Sequence, residues 1–307
     1  MANISSLPPE LIAAILGPAL SVHPNPSRIL RVSSLFHTIG YPILYSHLYF
    51  RHIPQIIRFA YRSAPPACPP RTITVNFSGT SSARLAPVTN RENAQALGTM
   101  LGFESMFRFL AVVFELCGAQ SAEGSGRAAQ VELEALELRV NTHARDLNMR
   151  YVYEALSLAN PKRFMWGGTD DLKHHFSIAI VPTATSHLLQ AAATWTQVQE
   201  ITLANVAFPG LDTEQPLLPL IPSLRRLTLD RAIMVSPEHV AGMACLYTGE
   251  SNLEEILLVD VYSDSIWGPR VRRTDVEKAA AGMEDVVSRI VRCEGKTERI
   301  VGGDRAD

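Results

Sequence analysis

Leu224-Arg225-Arg226-Leu227-Thr228-Leu229 sets apolar side chains at the first, fourth and sixth of six positions, and this spacing decides how the chain is read. It returns as Val198-Gln199-Glu200-Ile201-Thr202-Leu203, as Leu253-Glu254-Glu255-Ile256-Leu257-Leu258 and as Leu133-Glu134-Ala135-Leu136-Glu137-Leu138. Weaker copies run from Pro161 to Trp166 and from Pro70 to Val75. In a short strand the fourth and sixth residues, two apart, point to one side and stack on the same pair of a neighbouring copy. With the fourth residue as marker, the steps from 136 to 164, 201, 227 and 256 are 28, 37, 26 and 29 residues. Three of these steps suit a repeat of one strand and one helix, roughly 20–29 residues long.

Helical patterns lie between the copies, at Met149 to Ala159, Thr185 to Thr194, Pro237 to Tyr247 and Thr274 to Arg289. Ser236 before Pro237 reads as an N-cap followed by proline in the first turn. The fold class expected is α/β. Its body, residues 72–290, reads as an irregular leucine-rich-repeat-like solenoid with parallel strands inside and helices outside. An ordinary α/β domain whose strands share one apolar spacing gives the same pattern. Polar loops are read at 78–83 and 118–128, and residues 291–307 read as a polar tail.

Upstream the composition changes. Residues 1–62 are densely apolar and read as a helical module, separated from the body by the proline-rich linker at 63–71. A first helix opens at Leu7-Pro8-Pro9-Glu10-Leu11-Ile12, with apolar residues continuing at Ile15 and Leu16, and Gly17-Pro18 is expected to end or bend it. A second helix is expected from Arg28 to Ile39, with Ser27 as its cap and Pro42 interrupting beyond it. Ile43 to Phe50 would finish the module.

Leu7-Pro8-Pro9-Glu10-Leu11-Ile12, then Leu30-Arg31-Val32-Ser33 with Phe36, then Pro42-Ile43-Leu44-Tyr45-Ser46-His47-Leu48, resemble an F-box in order and spacing. The chain differs at Ser34 and Leu35, where a basic residue often stands, and at Tyr45, where many members carry tryptophan. The resemblance implies a three-helix unit that docks on a Skp-family linker protein and through it on a cullin, in an SCF-type ubiquitin ligase. With the repeat body it resembles fungal-type F-box proteins with divergent leucine-rich repeats, which act as substrate receptors holding a target protein. Leu7, Pro8, Leu11, Ile15, Leu30, Val32, Pro42, Leu44 and Tyr45 would meet the linker protein. Phe36 leans toward the module's own core, and His37, His47 and His52 read as solvated or hydrogen-bonded. The alternative is a noncatalytic repeat scaffold whose helical end packs on its own body and meets no ligase.

Other function classes find less support. The chain has 28 Lys and Arg against 30 Asp and Glu, a net charge of −2, so no bulk field draws it to nucleic acid or to a membrane. Arg270-Val271-Arg272-Arg273 is a small basic group among acids, and Arg225-Arg226 is expected to pair with Glu254-Glu255 on the next strand. Hydrophobic residues make up 47% of the chain, enough for a packed interior. Cys68, Cys117, Cys245 and Cys293 are far apart in sequence, which fits a reduced cytoplasmic or nuclear protein, and no signal peptide is read at the start. No nucleophile elbow, phosphate loop, dinucleotide fingerprint or zinc-protease motif is found, so neither a catalytic residue nor a cofactor is expected. Asp170-Asp171 with His174-His175 is the nearest approach to a metal cluster and reads as a solvated loop and helix start.

Overall fold

The computed structural model describes residues 7–23, 25–62, 65–66, 68–78, 103–119, 130–144, 146–169, 178–210, 216–246 and 252–296. Three helices come first, α1 (Pro9–Val22), α2 (Pro26–Leu30) and α3 (Ser34–Ser46). Strands and helices then follow as β1 (His47–Phe50), α4 (Ile53–Ala60), β2 (Thr72–Asn76), α5 (Phe103–Gly118), β3 (Val131–Arg139) and α6 (Arg150–Leu156). The series continues with β4 (Ala159–Gly167), α7 (Pro182–Ala192), β5 (Glu200–Ala204), β6 (Arg226–Asp230) and α8 (Pro237–Leu246). It closes with β7 (Glu255–Val259), α9 (Arg273–Ala279), α10 (Glu284–Ile290) and β8 (Val291–Glu294).

All eight strands form one parallel sheet in the order β1 to β8, each beside its predecessor in sequence. The order never reverses, so the sheet lacks the switch point at which doubly wound folds bind dinucleotides. Register follows the six-residue motif. Leu48, Ile73, Leu136, Phe164, Ile201, Leu227, Ile256 and Val291 are successive partners across the sheet. Two residues on, Phe50, Val75, Leu138, Trp166, Leu203, Leu229, Leu258 and Cys293 form a second row. Apart from the half-buried Cys293, both rows are buried, in one core that also takes Phe114, Val152, Leu188 and Val240 from the helices. The residues between the rows, such as Tyr49, Thr74, Thr202 and Arg292, keep access to solvent, so one sheet face is covered and the other open.

Charge pairs run across the open face. Arg225 meets Glu254 at 3.5 Å, as its sequence pairing requires. Arg226 instead bonds Glu200 on the preceding strand, and Glu255 takes Arg292 of β8 at 3.1 Å. In a parallel ladder each residue has a neighbour on both sides, and Arg226 lies between two carboxylates.

Sequence and structure part at several points. The boundary read at 63–71 lies earlier, because His47 to Ala60 belong to the sheet body: Leu48, Phe50, Ile53 and Ile56 enter the large core. Val291–Glu294, read as tail, is the last strand among the described residues, since Val291 and Cys293 continue the two apolar rows. The stretch read as one helix from Arg28 splits at Arg31 to Ser33, where Ser33 is extended and its hydroxyl accepts a bond from Phe36 N at 3.1 Å. Ser33, not Ser27, therefore supplies the cap. Pro18 and Pro42 both lie inside helices, and the carbonyls they leave without a helical donor, of Ala14 and Thr38, belong to exposed residues within reach of water. The stretch from Thr274 to Arg289 divides at Ala281 (φ 23°) and Gly282 (φ 89°) into α9 and α10. Ser236 caps α8 as read, accepting from His239 N at 3.2 Å.

Asn160 at the start of β4 is buried and braces the turn that leads to β5. Its Oδ1 accepts from Thr196 N (3.0 Å) and Gln197 N (3.3 Å), and its Nδ2 donates to Thr196 Oγ1 (2.9 Å). Asn160→Leu removes the acceptor of two partly buried N–H groups, and thermal unfolding should show a loss of about 1–2 kcal/mol. A variant as stable as the parent would mean that the turn is held elsewhere.

Candidate interaction surface

The helical module has a core of its own, small and separate from that of the sheet. Ile12, Leu16 and Leu20 of α1 and Leu30 of α2 are buried together, with Phe36, Ile39 and Leu44 of α3 packed partly against them. α3 crosses close because residue 40 is glycine: a Cβ there would stand 2.6 Å from Leu30 Cδ2 and 3.3 Å from Leu20 Cδ1. The buried residues of α1 follow a four-residue step along one side of the helix.

The opposite side is as apolar and has no cover among the described residues. Leu11, Ile15, Pro18 and Val22 follow one another at steps of four, three and four residues, within roughly 60° of helical arc at about 3.6 residues per turn, and Leu7 lies just before the helix. All five are exposed, Leu11 to 52%, Ile15 to 49% and Val22 to 83%. A single exposed leucine is unremarkable, but a continuous apolar stripe on the helix whose other side forms the core is a candidate interaction surface. Sequence reading missed Pro18 and Val22 because Gly17-Pro18 is expected there to end or bend the helix. The spacing from Ile15 to Pro18 to Val22 was the available signal.

The remaining residues named from sequence distribute differently. Pro8, Val32 and Pro42 are exposed, Val32 in the turn between α2 and α3. Leu30 leaves the candidate surface: it is 7% exposed, one of the four residues that close the small core. Leu44 is half-buried against that same core. Tyr45 is half-buried against the sheet core instead, so it joins the two units. Its ring lies 4.5 Å from that of Tyr41, and the Arg62 guanidinium stands 5.0 Å above it and 5.0 Å above Phe59. Burial pushes the Tyr45 phenol above its ordinary value, aided by its bond with Tyr41 and opposed by the Arg62 charge. His37 is exposed and stacks on Tyr41 at 5.1 Å, and His47 Nδ1 lies 2.8 Å from Thr72 Oγ1.

Asp170, Asp171, His174 and His175 lie outside the described residues. Among the described residues no group of three metal-ligating side chains comes together, and no helix is long and apolar enough to cross a membrane. The Cys117 thiol is pushed up to about 12 by burial, which keeps it protonated and unreactive at neutral pH. No family model and no curated protein matches the chain.

Proposed function

We propose that this chain is a noncatalytic adaptor, the substrate receptor of an SCF-type ubiquitin ligase. In this reading the three N-terminal helices are an F-box that docks on a Skp-family linker, and through it on a cullin. The strand-and-helix body is an irregular leucine-rich-repeat-like solenoid that holds a target protein. The observation that carries the reading is the uncovered stripe of α1, opposite a stripe that builds the module's own core. Burying each such side chain against a partner is worth about 1.5–3 kcal/mol before the costs of association.

Co-purification of the full chain with a Skp-family linker tests the proposal. Leu11→Asp with Ile15→Asp should weaken that complex at least about 100-fold, as expected for two central contacts of an interface. The thermal midpoint should hold, because both side chains are already in water. Failure of the parent to bind, or full binding by the double variant, rejects the reading.

A second reading, a repeat scaffold without a ligase, draws on Tyr45, which ties the helical module to the body through Arg62 and Phe59. It predicts no association with the linker by either protein.

A further inference from the structure

Among the described residues β8 is the last strand of the sheet, and its make-up defines what a further neighbour would have to be. Among the described residues β8 has one strand partner, β7, so its far edge carries backbone N–H and C=O groups with no strand beside them. The two apolar rows that cross the sheet stop there at Val291 and Cys293. On the open face, charge signs alternate from strand to strand: Glu200 with Arg226, Arg226 beside Glu255, and Glu255 diagonally with Arg292, whose register partner is Leu257. Arg292 is last, and its side chain is 71% exposed.

A groove of about 790 Å³ runs along this edge, between Arg292 to Gly295 on one side and Arg270 to Thr274 on the other. That volume is in the range of built ligand sites, roughly 300–1,000 Å³. Arg270, Arg272, Arg273 and Arg292 line it against one carboxylate, that of Glu294. Arg270 is fixed on the buried Asp260 at 3.0 Å and gives the wall its shape, passing close to Gly295, where a Cβ would stand 2.8 Å from Arg270 Nη1. Arg273 and Arg292 are held by exposed pairs with Glu277 and Glu255, which exchange at little cost. The Cys293 thiol, pushed up to about 11 by burial, stays protonated, so this wall of the groove is apolar and not nucleophilic.

We propose that the outer edge of β8 binds an extended segment of a partner protein as a ninth strand, with acidic residues on the open face beside Arg292 and apolar residues between them over Val291 and Cys293. Main-chain bonds to the edge give affinity, and the alternation gives specificity, because the ligand's apolar residues continue the two apolar rows and its carboxylates meet Arg292. The site does not depend on what α1 meets.

Fluorescence anisotropy with the full chain and a labelled Glu-Val-Glu-Val-Glu-Val peptide tests this. Saturable binding is expected, weakened about threefold by Arg292→Ala and about tenfold or more by Arg292→Glu. Arg292→Glu should instead favour Lys-Val-Lys-Val-Lys-Val. Methylating alternate peptide amides should abolish binding, and amide exchange at residues 291–294 should slow when the parent peptide is bound. Circular dichroism shows whether each variant remains folded, and Arg292→Ala serves if the reversed charge does not. Absence of binding by folded protein, indifference to both Arg292 variants, or equal binding of the methylated peptide overturns the proposal.

Discussion

Trp166→Ala should cost the sheet body about 3–5 kcal/mol, the largest loss expected of any single truncation in the chain. The ring is fully buried at the centre of the second apolar row, between Leu138 and Leu203, and lies 5.3 Å from Phe107 of α5. Its indole N–H donates to Val140 O at 3.1 Å, where the chain leaves β3. Alanine therefore opens a cavity in two layers at once and orphans a buried carbonyl. The fold has little means of collapsing around the gap, because β4 is pinned in register by β3 on one side and β5 on the other. Urea unfolding followed by circular dichroism reads the effect as a lower midpoint at unchanged slope. Trp166→Phe keeps most of the volume and should lose only the hydrogen bond, about 1–3 kcal/mol. Trp267→Ala, at an exposed loop position, should change almost nothing. A Trp166→Ala variant within 1.5 kcal/mol of the parent would refute the account of the core as two continuous rows.

That core was legible because its signal is local. Six residues contain the whole instruction for a strand with one buried face, and each copy repeats it. Even the weak copies at Pro70 and Pro161 became β2 and β4, since proline fills the first position, where no inward pair is needed. The first and last strands escaped for opposite reasons. Tyr45-Ser46-His47-Leu48-Tyr49-Phe50 matches the motif, but it follows α3 without a break, so the helical pattern absorbed it. At the other end Val291 and Cys293 supply the inward pair while Arg292 and Glu294 make the segment polar, as suits an edge.

Charge pairing was readable only to the nearest strand. Arg225 and Arg226 are adjacent in sequence, yet one turns to Glu254, just before β7, and the other to Glu200 of β5. No string of letters says which neighbour a side chain will choose when both offer a carboxylate. The candidate surface shows the same limit. Leu11 and Leu30 are equally apolar and both match the F-box-like pattern, but a three-helix unit must bury one set of side chains to exist at all. Helical phase assigns Ile12, Leu16 and Leu20 to the inside of α1 and leaves Leu11 out. The fate of Leu30 depends on where α3 crosses, which Gly40 decides.

Gly40→Val should unfold the helical module while leaving the sheet standing. The new Cβ would overlap Leu30 Cδ2, and the buried neighbours Leu16 and Leu20 leave α3 no room to shift toward α1. Overpacking of this kind costs about 1–3 kcal/mol in a large core. Here the core holds four buried residues, so the reserve is smaller and the loss is felt by the whole unit. Hydrogen exchange should show residues 9–46 losing protection, with tryptic cleavage appearing at Arg28 and Arg31, while β3 to β7 stay protected. Gly17→Ala supplies the contrast: its Cβ meets nothing within 4 Å, and replacing a glycine inside α1 should stabilise the module by about 0.5–1 kcal/mol. The pair also separates folding from docking. Gly40→Val should abolish linker binding by dissolving the surface, Gly17→Ala should preserve it, and Leu11→Asp with Ile15→Asp should abolish it with protection of α1 intact. Equal loss of protection in the module and in the sheet for Gly40→Val would mean that the two cores fold as one.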